Sequence, residues 1–88
     1  MEKRLLFFHA NWCEPCKKMK PIVQGIADGG TIDIEFVDID QETLKVEDYA
    51  IRSVPALILM SNHGEEKRGI GLKTKQEIIN FYSSDLNY

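Results

Sequence analysis

The chain has 88 residues, 43% of them hydrophobic and 28% charged, with a formal net charge of -3. That length supports one modest core, and a single domain over residues 1–88 is expected. The composition is that of an ordinary globular protein: it excludes the basic footprint of a nucleic-acid binder and the long apolar run of a membrane span.

In chain order, residues 4–9 read as a first strand that is largely apolar on both faces and therefore central. The preceding Met1-Glu2-Lys3-Arg4 and the apolar Leu5 to Phe8 are too short for a secretory leader. Next comes Trp12-Cys13-Glu14-Pro15-Cys16, which holds both cysteines of the chain in C-x-x-C spacing at the start of a predicted helix. Met19, Ile22, Val23, Ile26 and Ala27 follow the i, i+3, i+4, i+7, i+8 pattern of a core-facing stripe, and Gly29-Gly30 ends it. Lys17, Lys18 and Lys20 read as a solvated face of that helix.

Residues 32–38 predict a second strand, with Asp33 and Glu35 alternating against Ile32, Ile34 and Phe36, a pattern suited to a sheet edge. A second helix is expected from about Gln41 to Ala50. After Val54-Pro55, the continuous apolar run Ala56 to Met60 reads as a buried inner strand. Ser61-Asn62-His63-Gly64 makes a turn, and Glu65 to Gly69 returns as a polar edge strand. The last helix begins at Thr74, whose hydroxyl forms a capping box with Glu77, and Ile78, Phe81, Tyr82 and Leu86 make its core stripe.

The cysteine pair carries the chemistry. A disulfide closing so short a loop removes little chain entropy from the unfolded state, so a dithiol that cycles explains the spacing better than a structural crosslink. Cys13 lies near the helix N-terminus, where free N–H groups and the positive end of the dipole favour a thiolate. Cys16 lies one turn later on the buried side of the stripe. Cys13 is therefore expected to be exposed, acidified and nucleophilic, and Cys16 to be shielded and to attack second. A zinc site from His9, Cys13, Cys16 and His63 is disfavoured because His63 falls in a distant predicted turn. Neither a metal nor a bound cofactor is expected beyond a redox-active Cys13–Cys16 disulfide.

Ala10-Asn11-Trp12-Cys13-Glu14-Pro15-Cys16-Lys17 resembles the W-C-x-P-C-K signature of thioredoxins. Pro21 is similar to the proline of their active-site helix, Asp38-Ile39-Asp40-Gln41 to the segment closing the next strand, Ile51-Arg52-Ser53-Val54-Pro55 to the loop with a cis-proline, and Gly71 to the glycine after the last strand. The resemblance spans nearly the whole chain. It implies an α/β thioredoxin-like fold with a mixed four-stranded sheet in strand order 2-1-3-4 and helices on both faces. Thioredoxins carry a further strand and helix before the strand leading to the cysteines, and this chain is expected to lack them.

The function implied is reduction of disulfides in client proteins, with Cys13 attacking and Cys16 resolving. An NADPH-dependent flavoprotein thioredoxin reductase would restore the dithiol, in a monomer working in the cytoplasm. Trp12, Glu14, Pro15, Val54, Pro55 and Gly71 would form the client-binding surface, with the Val54 backbone pairing with the client's extended chain.

Four positions depart from the family. Phe7 and Phe36 stand where thioredoxins place a buried aspartate and a lysine that help move the proton of the second cysteine; here they read as core packing, so that either water or Glu14 accepts that proton or Cys16 deprotonates slowly. His9 replaces a common tryptophan, and either lowers the Cys13 pKa as an imidazolium or is a half-buried strand-end histidine without a role. Glu14 replaces a glycine and modestly disfavours the Cys13 thiolate, against the helix dipole and Lys17. A glutaredoxin-like glutathione-dependent reductase and a non-catalytic binding module are the competing readings. The first lacks the adjacent glycines expected for glutathione, since Gly69-Ile70-Gly71 has only separated ones.

Overall fold

The computed structural model describes residues 3–83. They form β1 (Lys3–His9), α1 (Glu14–Asp28), β2 (Ile34–Asp38), α2 (Thr43–Asp48), β3 (Ala56–Ser61), β4 (Gly64–Ile70) and α3 (Lys75–Ser83). The strands make one mixed sheet in the expected order β2-β1-β3-β4. β1 runs parallel to β2 and antiparallel to β3, and β3 is antiparallel to β4.

Side chains alternate across β1, so its apolar run feeds two cores. Leu5 and Phe7 pack with Met19, Val23 and Ile26 of α1, Leu57 and Leu59 of β3, and Ile78 of α3. Leu6 and Phe8 pack on the opposite face with Val37, Ala56 and Ile58, covered by Ile39, Tyr49 and Ile51 around α2. Helices thus lie on both faces, as a central strand apolar on both sides requires.

Helix α1 follows its sequence stripe: Cys16, Met19, Val23 and Ile26 are buried, and Pro21 sits inside it. Its run ends where Gly30 takes a left-handed φ of 82°, a conformation that costs glycine little. Helix α3 starts as expected: the Thr74 backbone N–H donates to Glu77 Oε1 at 2.8 Å, and the Glu77 N–H donates to Thr74 Oγ1 at 3.1 Å. Leu86 lies outside the described residues.

Two elements are shorter than their patterns suggest. β2 begins at Ile34 rather than Ile32, and Val37, on the same face as Glu35, is fully buried. The charged face of that edge is therefore confined to its start, where Arg4 bonds Asp33 and Glu35, and Lys45 bonds Glu35. Helix α2 spans only Thr43–Asp48, with no side-chain cap at Glu42. Its exit is held by Arg68 of β4, which donates to the Tyr49 carbonyl at 2.8 Å.

Candidate active site

The sheet register assembles the site from segments far apart in sequence. β1 ends at His9, which pairs with Asp38 at the end of parallel β2. β3 runs the other way, so its first residue, Ala56, pairs with Phe8 and brings Pro55 to the same edge. Gly71 joins them by donating its N–H to the Pro55 carbonyl at 2.9 Å. The Val54-Pro55 bond is cis. His63 lies beyond Ser61, which pairs with Lys3 at the far end of β1. Among the described residues, no group of three or more His, Cys, Asp or Glu is placed to hold a metal.

Cys13 is the N-cap of α1, in extended backbone conformation. Its Sγ is bonded to Cys16, across a Cα–Cα distance of 5.2 Å, and accepts the Cys16 N–H at 3.2 Å. The N-cap role that serine or aspartate oxygens fill is taken here by sulfur. Cys13 Sγ lies 3.6 Å from the Val54 carbonyl oxygen. With Ala10 and Cys16 it forms a small buried cluster backed by Ile39 and Val54.

The expected difference in exposure is narrower than the helix position suggests. Cys13 is 6% exposed and Cys16 2%, so both sulfurs are buried in the disulfide form. The cause is the loop at Val54 and the Ile39 side chain, which close over Cys13 from elements that follow it in the chain.

Around the sulfurs lies an uneven rim. Trp12 is 65% exposed, and its Nε1 donates to Asp40 Oδ2 at 3.0 Å. Together with Ile39, Ile51, Arg52, Ser53 and Val54 it lines a shallow groove of about 330 Å³ beside Cys13. Pro15 and Glu14 are exposed in the first turn of α1. Glu14 Oε2 accepts from Lys17 Nζ at 3.2 Å, so the added carboxylate is partly neutralised within its own helix. Asp40, 28 residues from Trp12, had no local signal in the sequence, because its role depends on the β2 exit passing the β1 exit.

Phe7 and Phe36 meet edge to face at 5.6 Å between ring centroids. Phe7 is fully buried and Phe36 partly so, which is the core packing read from the sequence. His9 stacks on Phe7 at 5.3 Å and is 6% exposed. Burial and the Lys20 charge hold its pKa below 6.5, against weaker attraction from Asp38 and Glu42. Of the two readings of His9, an imidazolium beside Cys13 or a half-buried strand-end residue, the lowered pKa and the burial favour the uncharged ring. Lys17 and Lys20, read as part of a solvated helix face, with Lys17 also set against Glu14, line a pocket with His9 and Cys16.

The comparisons with known proteins agree with this geometry. A family model described as Thioredoxin matches residues 1–84. The thioredoxin of Chlamydia trachomatis serovar D is 38% identical over 80 residues, covering 90% of this chain and 78% of the relative. That of Mycoplasma genitalium is 37% identical over 79 residues, covering 88% and 76%. Among solved structures, a mutant thioredoxin from Halobacterium salinarum superposes with a TM-score of 0.80 at 25% identity, covering 96% of this chain and 77% of the other. A sulfur pair at a helix N-terminus beside a Val-Pro loop, in this sheet order and with these relatives, places the chain in the thioredoxin family, as a thiol–disulfide oxidoreductase of the protein-disulfide reductase type.

Proposed function

We propose that this chain reduces disulfides in client proteins through Cys13-Glu14-Pro15-Cys16 and is recycled by an NADPH-dependent flavoprotein thioredoxin reductase. The observation that carries the reading is the environment of Cys13 Sγ, which caps α1 and accepts a backbone N–H from Cys16. A donor and a helix N-terminus aimed at one sulfur favour its anionic form, and the thiolate is the attacking species in disulfide exchange.

In the reduced protein the Cys13 thiolate attacks one sulfur of a client disulfide. The client's second sulfur leaves as a thiolate, and a Cys13–client disulfide forms. Cys16 Sγ then attacks Cys13 Sγ, releasing the other client sulfur and restoring the internal disulfide. Two electrons have passed to the client, and the reductase returns them.

The client surface is read as Trp12, Glu14, Pro15, Val54, Pro55 and Gly71. Its support is that Pro55 and Gly71 are bonded to each other, Val54 and Trp12 line one open groove with Trp12 bonded to Asp40, and Glu14 and Pro15 are exposed beside Cys13. Lys17 tempers the effect of Glu14 on the thiolate. The protein is read as a monomer of one domain, acting in the cytoplasm without a bound metal or cofactor. No helix among the described residues is long and apolar enough to cross a membrane.

Insulin reduction with each electron donor tests this. Turnover with thioredoxin reductase and NADPH, abolished by Cys13→Ser, is the expected result. Turnover supported only by glutathione and glutathione reductase would replace it with the glutaredoxin-like reading. Retention of all biological function in Cys13→Ser would identify a non-catalytic binding module.

A further inference from the structure

Resolution of the mixed disulfide requires Cys16 to lose its thiol proton at a position only 2% exposed. An ordinary thiol, with a pKa of about 8.5, is largely protonated at neutral pH. A side chain that takes the proton must reach Cys16 directly or through water, and Phe7 and Phe36 offer no titratable group.

Cys16 lines a pocket of about 530 Å³. Its other polar lining comes from His9, Asn11, Lys17, Lys20 and Gln24. The lysines are protonated donors, and the two amides are not bases near neutral pH. His9 is the one base among these lining residues. Among the described residues no buried side-chain nitrogen or oxygen lacks a partner. The His9 ring, flanked by Phe7 and Phe36, lines the same pocket as Cys16.

We propose that the His9 imidazole accepts the Cys16 thiol proton through the pocket the two residues share, so that Cys16 can attack the mixed disulfide on Cys13. The inference rests on the reductase reading above. The Cys16 S–H bond breaks and its proton passes to a ring nitrogen, through water where the two atoms do not touch. The Cys16 sulfur bonds to Cys13 Sγ as the Cys13–client bond breaks, and the client sulfur leaves with the electron pair. The imidazolium then returns its proton to that thiolate or to solvent.

The charges around His9 suit a transient base. The charges of Lys20 on α1, Asp38 at the end of β2 and Glu42 before α2 act on the ring, and burial with Lys20 outweighs the two carboxylates to lower its pKa. The cations of Lys17 and Lys20 in the same pocket would favour the developing Cys16 thiolate. The proton transfer is uphill, but the thiolate is consumed by attack, so it need persist only briefly. His9 acts here as a positioned proton acceptor for Cys16 and is not assigned to tuning Cys13.

The probe is 5,5′-dithiobis(2-nitrobenzoate), mixed with the reduced protein in a stopped-flow instrument. Cys13 releases the first thionitrobenzoate at a rate that rises with probe concentration, and Cys16 releases the second at a rate that does not. His9→Phe is expected to slow the second release at pH 7 by about tenfold or more relative to the first, within or below the usual range for general base catalysis. Its pH midpoint should move up toward that of an unassisted thiol. Added imidazole should restore the second phase in His9→Ala, a response that a packing role would not give; His9→Gln repeats the kinetic comparison with a residue of similar bulk. An unchanged ratio of the two phases, or a loss in His9→Ala that imidazole leaves untouched, would overturn the proposal. A wild-type protein giving no second release would overturn the reductase reading with it.

Discussion

The two faces of β1 look alike in the sequence, Leu5-Phe7 on one side and Leu6-Phe8 on the other, yet they carry different duties. The face toward α1 and α3 is closed by two helices and holds the larger core, with Met19, Val23 and Ile78 fully buried. The face toward α2 is covered by a six-residue helix with no fully buried residue and by loops at Ile39 and Ile51. The α1 face buries the larger apolar cluster. The lightly covered face ends in the Val54 loop and the Trp12 groove, where the proposed client surface would need backbone free to pair.

This contrast can be broken most directly by cavities. Phe7→Ala on the α1 face should cost about 3–5 kcal/mol, whereas Ile51→Ala, half-buried on the α2 face, should cost about 1 kcal/mol. Urea unfolding measures both, and equal losses would mean that the α2 face is as tightly built as the other. Trp12→Ala should come next, lowering kcat/KM for a protein disulfide by about tenfold while shifting stability by less than about 0.5 kcal/mol, because the indole is largely exposed and belongs to the proposed client surface. A stability loss matching the activity loss would make Trp12 a structural residue.

The smallest effect expected is the pH dependence from His9. Its pKa is lower in the folded chain than the ordinary 6.5, so the unfolded state binds more protons through that interval. The folded state is therefore fully favoured above about pH 6.5 and loses stability as pH falls through the lowered value. His9→Phe should remove this part of the acid sensitivity and leave that of the carboxylates, among them Glu65, which Arg68 holds below its ordinary value. Parallel stability curves for the two proteins between about pH 7 and 5 would show that His9 ionises freely in the folded state.

Much of the architecture was legible before folding because its determinants are local. The stripe from Met19 to Ile26, the Thr74–Glu77 cap and the unbroken run from Ala56 to Leu59 each specify an element within a few residues, and each appears where the pattern places it. The ends of β2 and α2 were less legible. Val37 is buried by its place between β1 and the α2 face, and the exit of α2 is held by Arg68, 19 residues beyond Tyr49. Neither influence is written into the segment itself.

The same division runs through the site. By itself the sequence determined the dithiol, its place at a helix start and the sheet that carries it, since C-x-x-C spacing and apolar periodicity are short-range properties of one chain segment. Only the tertiary structure decided that Cys13 is nearly as buried as Cys16, that Trp12 bonds Asp40, and that His9 is buried with a lowered pKa and lines the cavity of Cys16. The physical reason is that burial and ionisation belong to a residue's neighbours in space, and here those neighbours come from the ends of three strands and two loops that meet only when the sheet has closed.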